Sequence, residues 1–309
     1  MKKYLLPEKG HFYKANLHCH STFSDGRKTV EQHKEEYLKK GYSVIAFSDH
    51  EGLVPHIELT DERFLALTAV EIGVNDGFGR TYHLNFFSSD PCRSGLPTFE
   101  KVYGVEGINN LIAAFNDAGF LCQYNHPRWS QQVPAEFVGL EGLWGFEIYN
   151  HGCEVEMNDG WGDYEFEVIC RYGKNLPAAV ATDDNHNVAG YSGAYTDSFG
   201  GFSVIKAEKL TYDSIFDAMK RGDIYASTGP EIYDLYVDGE GLHVKCSPVS
   251  SIHVLTDTRR TWCARDTEDA LTEWTAPIDG GFRYIRLELK DTHGRKALTR
   301  AYSKAEIYD

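Results

Sequence analysis

Two histidines one residue apart, His18 and His20, close an apolar stretch, and Ser24-Asp25-Gly26 follows them. On a strand, residues i and i+2 point to the same face, so both imidazoles can reach one metal ion. Asp25-Gly26 then turns the chain and can return a carboxylate to the same place. A buried strand with two hydrogen-bonded histidines would give the same short pattern, so the pair alone decides nothing. More of the same chemistry follows: Asp49-His50, Glu71, His83, Asn125-His126-Pro127 and Asp183-Asp184-Asn185-His186. Six of the 13 histidines fall in this set. Clustered imidazoles are poor core material, because each neutral ring needs a donor and an acceptor and each charged ring needs compensation. Imidazole together with carboxylate suits zinc, iron or manganese. The expectation is a metal site.

Residues this far apart can meet only if the fold gathers them. Short apolar runs end at His18, Asp49, Glu71, Phe87, Asn125, Asn150 and Asp183, and the fourth carries His83. Runs such as Val44-Ile45-Ala46-Phe47 and Ala178-Ala179-Val180-Ala181 have the composition of strands buried on both faces. Helix candidates lie between them at 29–40, 107–118, 163–172 and 212–221, with Thr29 as an N-cap and Gly41 as a stop for the first. This alternation predicts an α/β protein with a largely parallel sheet, whose strand C-termini build one shared site. Past Ser227-Thr228-Gly229-Pro230 the periodicity changes to two, with turns at Asp238-Gly239 and Asp279-Gly280-Gly281. The expected organisation is residues 1–228 carrying the site and 229–309 forming a small antiparallel β domain.

At 309 residues, the chain is long enough for a large core. With 42% hydrophobic and 25% charged residues it has a globular composition. A net charge of −15 argues against general binding to nucleic acid or anionic membranes. The run before Pro7 is too short for a signal-peptide core, and no segment approaches the length of a membrane span. Seven scattered cysteines, with no Cys-x-x-Cys pair, fit a reduced, cytoplasmic chain.

As an ordered set, His18-x-His20 with Ser24-Asp25-Gly26, Ser48-Asp49-His50, Glu71, His83, Asn125-His126-Pro127 and Asp184-x-His186 resembles the PHP (polymerase and histidinol phosphatase) domain metallohydrolases. The resemblance covers about residues 12 to 225. It implies a distorted (β/α)7 barrel and two to three divalent transition metals, namely zinc, manganese or iron. It implies one site from His18, His20, Glu71 and Asp184, and a second from Glu71, His83 and His126, with Glu71 bridging. A third would use Asp25, His50 and His186; some relatives have histidine at the position of Asp25 and others aspartate. The junction 221–230 resembles the one that leads to a β-sandwich in a subgroup of the same family.

The implied chemistry is hydrolysis of a small phosphorylated substrate. Paired metals lower the pKa of a bridging water, so that hydroxide is present at neutral pH to attack phosphorus in line. Three such ions against three carboxylates and a hydroxide leave the cavity at about +2, which suits an anionic substrate despite the acidic surface. Relatives that cleave carbamates or aryl and carboxylic esters define an alternative use of the same site, and a metal-binding domain without catalysis is a further one. Three residues outside the ligand set are catalytic candidates. Arg128 is placed to grip phosphate, His151 to protonate a leaving group, and Asp49 to orient a ligand histidine or relay a proton. Trp129 and Trp161 suit stacking on an aromatic group or anchoring a loop.

Overall fold

The computed structural model describes residues 2–308. Its first part runs β1 (Lys3–Tyr4), β2 (His11–Cys19), α1 (Val30–Lys39), β3 (Tyr42–Phe47), β4 (Leu65–Asn75), β5 (Thr81–Ser88), α2 (Val105–Asp117), β6 (Phe120–Tyr124), α3 (Pro134–Phe137), β7 (Gly145–Asn150), α4 (His151–Met157), α5 (Asp163–Tyr172), β8 (Ala178–Thr182), β9 (Phe202–Ala207), α6 (Tyr212–Arg221) and β10 (Ile224–Ser227). The second part is β11 (Ile232–Asp238), β12 (Gly241–Val249), β13 (Ser251–Thr256), β14 (Thr261–Arg265), β15 (Leu271–Ala276), β16 (Tyr284–Lys290), β17 (Lys296–Thr299), β18 (Tyr302–Ser303) and α7 (Lys304–Tyr308). The whole is a mixed α/β fold with a 14-stranded sheet and a separate antiparallel sheet ordered β1-β11-β12-β15.

The four helices expected from sequence form, α5 and α6 with the expected ends. Thr29 caps α1 in a reciprocal box: its Oγ1 accepts from Gln32 N (3.4 Å) while Gln32 Oε1 accepts from Thr29 N (3.0 Å). Along the large sheet, β2-β3-β4 and β6-β7-β8 are parallel runs. Between them β5 is antiparallel to both neighbours, and β9 flanks β2 antiparallel. The expectation of a largely parallel sheet is therefore corrected to a mixed one. The cause is local. Strand β4 does not stop at Glu71 but runs on to Asn75, and Asp76 closes a hairpin by accepting from the backbone N–H groups of Phe78 (2.7 Å) and Arg80 (3.0 Å). That hairpin matters to the site. It pairs Gly73 with His83, so His83 enters from the start of an antiparallel strand, beside the end of β4.

The C-terminal extension of β8 returns to β2. Asp184 N donates to His18 O (3.0 Å) and His20 N to Asn185 O (3.2 Å). Small and branched residues fill the interior below: Ala15, Leu17, Val44, Ala46, Leu67 and Val180 are almost wholly buried. The strands that carry the polar cluster thus stand on a close-packed apolar floor, which fixes their ends relative to one another.

The large sheet does not stop at Ser227. Strand β10 pairs with β17, aligning Ala226 with Leu298, and β1 at the N-terminus pairs with β11. One core cluster contains Phe146 and Phe166 together with Tyr284 and Leu298. A chain ending at Thr228 would expose the β10 edge and this apolar surface. It is expected to aggregate, or to lose its cooperative transition, at concentrations where the full chain stays monodisperse. Size-exclusion chromatography and calorimetry check this; a soluble, cooperatively folded fragment 1–228 would contradict it.

Candidate metal centre

Nine side chains from seven parts of the chain converge at one end of the parallel runs. His18 and His20 come from the end of β2, Asp25 from the turn after it, and His50 from the segment after β3. Glu71 comes from β4, His83 from β5, His126 from the segment after β6, and Asp184 and His186 from the segment after β8. They fall into three overlapping donor sets: within 4.8 Å of one another lie His18, His20 and Glu71, with Asp184 beside both histidines; Glu71, His83 and His126; and His20, Asp25, His50 and His186.

In the first set, His18 Nε2 is 3.3 Å from Glu71 Oε2 and 3.1 Å from Asp184 Oδ1, and His20 Nε2 is 3.3 and 3.0 Å from the same atoms. The two ring nitrogens face each other at 3.2 Å. In the second, Glu71 Oε1 lies 3.0 Å from His83 Nδ1 and 3.5 Å from His126 Nε2. In the third, Asp25 Oδ2 lies 3.4 Å from His186 Nε2 and 3.7 Å from His50 Nε2, while Asp25 Oδ1 is 3.8 Å from His20 Nδ1. His20 therefore presents one nitrogen to the first set and the other to the third.

These residues fit a metal. Ligands bound at about 2.1 Å to a common tetrahedral centre stand roughly 3.4 Å apart, close to the spacing of the first set. The first set also carries polar atoms that the protein leaves unpaired. Asp184 Oδ1 and His20 Nδ1 are buried without an aligned hydrogen-bond partner, the condition a bound cation relieves. His18 Nδ1 is held at 2.9 Å by Glu147 Oε1, which directs the Nε2 lone pair toward the carboxylates. A lone pair aimed at carboxylate oxygens is repelled unless a proton or a metal ion stands between them.

Electrostatics follow the same geometry. Burial alone would lower the His20 pKa, but the Asp184 and Glu71 carboxylates beside its ring outweigh it and raise it to about 9. Burial opposes ionisation of Glu71, yet the neighbouring His18 and His83 hold its carboxyl well below the usual range. The His186 hydrogen bond holds the Asp25 carboxyl low, whereas burial lowers the pKa of His50. Asp184 takes φ +50, a left-handed value that aspartate adopts more readily than most residues.

An outer layer of polar residues orients these donors, and sequence reasoning missed most of it. Glu147, 1% exposed on β7, also accepts from His126 N (3.0 Å), Thr182 Oγ1 (2.6 Å) and Asn150 Nδ2 (2.9 Å). The sequence signal for it is an acid flanked by Phe146 and Ile148 in a buried strand. Asn125 donates to Glu71 Oε1 (2.9 Å), Asn150 to Asp184 Oδ2 (2.9 Å), and Ser130 Oγ meets His126 Nδ1 at 3.2 Å. His33, outside every motif, is buried with its Nε2 3.1 Å from His20 O.

The three non-ligand candidates are placed differently from expectation. Asp49 touches no histidine ring; it accepts from Ser21 N (2.8 Å), Ser21 Oγ (2.7 Å) and Ser24 Oγ (2.6 Å), and so pins the turn that carries Asp25. Arg128 points away from the donors. Its Nη1 donates to Trp161 O (2.9 Å) and its Nε lies 3.4 Å from Glu165, which clasps the start of α5. His151 opens α4, and its Nδ1 meets Tyr149 OH at 3.0 Å. A Cβ on Gly200 would overlap its ring, so the imidazole is packed against that backbone. Neither residue lines the cavity above the donors, a space of about 700 Å³ walled by α4 and the segment after His186. Trp129 lines it, and Trp161 does not.

The fold and donor sets together describe a mixed α/β protein whose histidines and acids could hold metal. No family model and no curated protein matches the chain. Among solved structures, the fold is that of a two-domain protein from Bacteroides vulgatus containing a predicted PHP-like metal-dependent phosphoesterase. That match has a TM-score of 0.52 and 15% identity over 97% of this chain and 98% of that one. A candidate metal-dependent phosphoesterase from Bifidobacterium adolescentis also matches, at TM-score 0.42 and 16% identity, over 70% of this chain and 98% of that one.

Two predictions follow from this geometry. Replacing Glu147 by Gln removes the negative charge and one of the two acceptor oxygens behind His18, and metal affinity is expected to fall about 10- to 100-fold with the fold intact; competition against a chromogenic chelator measures it. The second concerns pH. His20 has a folded pKa raised from 6.5 to about 9, so its protonation stabilises the metal-free fold fully below pH 6.5 and progressively less up to about 9. Chelator-treated protein should therefore unfold at falling temperature as pH rises through that window, and added metal should reverse the loss. A flat profile would show that the raised pKa is wrong.

Proposed function

We propose that the chain is a metal-dependent phosphoesterase acting on a small phosphorylated substrate, built on a distorted (β/α)7 barrel closed between β2 and the extension of β8. The observation that carries this reading is three donor sets linked by Glu71, common to the first two, and by His20, common to the first and third, beneath one cavity. His18, His20, Glu71 and Asp184 would hold one divalent ion, and Glu71, His83 and His126 a second. Asp25, His50 and His186, with His20 Nδ1 alongside, would hold a third. Zinc, manganese and iron all suit such imidazole and carboxylate donors. When bound, these ions supply a water of lowered pKa and neutralise charge that builds on the phosphoryl oxygens.

The chain's own groups supply the positioning. Glu71 sets the separation of the first two donor sets, because its two oxygens face different histidines. Glu147 and Asn150 fix His18 and Asp184, and Asp49 fixes the turn that carries Asp25. With three acidic ligands against two or three divalent ions, the floor is cationic and draws in an anion. Arg128 and His151 take structural roles in this reading.

The test is hydrolysis of 4-nitrophenyl phosphate, bis(4-nitrophenyl) phosphate and 4-nitrophenyl acetate by the metal-loaded protein. Phosphomonoester turnover that is lost on chelation and restored by manganese or zinc is the expected result. Ester turnover without phosphate turnover would move the assignment to carboxylic or carbamate esters, and bound metal with no turnover at all would mark a binding domain. Glu71→Gln should reduce phosphatase activity at least roughly 100-fold and lower the metal stoichiometry of two donor sets at once. Elemental analysis reads the second effect independently of activity.

A further inference from the structure

Each acid that lines the cavity has a partner on at least one oxygen. Asp25 faces His186 and His50, Asp184 faces His18 and His20, and Glu156 Oε2 accepts from Trp129 Nε1 (3.1 Å). Asp197 Oδ2 accepts from the backbone N–H groups of His186 and Asn187, both at 2.8 Å. Among the described residues lining the cavity, one is a lysine or arginine: Arg27, an exposed side chain.

Its backbone is held tightly. Arg27 N donates to His186 O (2.8 Å), and Gly26 N to Ser21 O (3.0 Å). Gly26 leaves no room for drift, since a Cβ there would lie 2.5 Å from His20 O. Asp49 ties down both serines of the same turn. The root of the Arg27 side chain is thus fixed beside the third donor set, while its guanidinium forms no ion pair with an acid of the cavity. A fixed root and an unpaired fork suit bidentate binding of a phosphoryl group. Trp129, Val155, Val188, Ala189 and Tyr195 supply an apolar wall to the same cavity. Val188 and Tyr195 are 78% and 76% exposed, so nothing in the protein covers them.

Resting on the phosphoesterase reading, we infer that Arg27 is the anion-positioning residue of the cavity, gripping the phosphoryl group of a monoester whose apolar or aryl organic part lies on the Val155–Val188–Tyr195 wall. This role is the one the sequence assigned to Arg128, and the structure separates the two arginines cleanly.

The experiment is calorimetric titration of phosphate, methylphosphonate and phenylphosphonate into manganese-loaded protein, in the parent chain and in Arg27→Gln, Arg27→Lys and Arg128→Gln, with metal content measured for each. Arg27→Gln should weaken all three ligands about 10- to 100-fold at unchanged metal content. Arg27→Lys should recover part of the loss, because it restores charge without the planar fork. Arg128→Gln should stay within about twofold of the parent, as a residue outside the cavity. Phenylphosphonate should bind at least about fivefold tighter than methylphosphonate in the parent and in Arg27→Gln alike. Parent-like phosphate binding by Arg27→Gln, or a loss explained by lost metal, overturns the role of Arg27. Equal affinity for the two phosphonates overturns the apolar wall. A parent chain that binds phosphate in none of these titrations and cleaves no phosphomonoester instead overturns the phosphoesterase reading itself.

Discussion

Glu71 is 1% exposed and stands among five histidines. One oxygen faces His83 and His126, and the other faces His18, His20 and His50. A carboxylate buried this far from water is tolerable only with positive charge close by on several sides. Protons on the imidazoles can supply that charge, and divalent ions can supply more of it. Either way the strands must deliver donors from separate directions to one point. The central place of β4, with parallel β3 on one side and antiparallel β5 on the other, is what allows this.

Charge concentrated at one point needs rigid support, and the second layer provides it without adding many formal charges. Asn125, Asn150, Ser130 and Thr182 are neutral, and each holds a donor or holds Glu147, which holds two. Neutral amides and hydroxyls orient ligands at a lower desolvation cost than ions would. The charged exceptions, Glu147 and Asp49, are saturated by backbone and hydroxyl donors.

Much of this could be read in the sequence, for identifiable reasons. Donor histidines and acids at the ends of apolar runs are conspicuous because such residues are costly to bury there, and the nine do converge. Helix α1 was legible from its cap Thr29 and stop Gly41, and α5 and α6 as helical segments between the apolar runs. The direction of β5 was not, because the apolar runs ending at Glu71 and Phe87 read alike whether their strands lie parallel or antiparallel. Nor was β9 visible: Phe202 to Ala207 includes Ser203 and Lys206, both buried, which dilutes the apolar pattern. Arg128 and His151 illustrate a different limit. Nearness to a motif places a backbone, but the direction of a long side chain is set by partners far away in sequence, here Glu165 and Gly200. Arg27 carried no motif of its own, and only the pinned turn shows where it stands.

The pairing of β2 has a consequence for how the protein comes into being. The strand that carries His18 and His20 lies between β3, made soon after it, and β9, where His11 pairs with Ala207. During synthesis the first two donors therefore wait on an incomplete sheet edge until two thirds of the chain has emerged. Asp184 and His186 arrive only shortly before that edge is covered. Long-range closures of this kind are slow steps in folding, and open edges are prone to wrong partners. The order of the strands thus makes completion of the first and third donor sets a late event, whereas Glu71, His83 and His126 are all present once β6 has emerged.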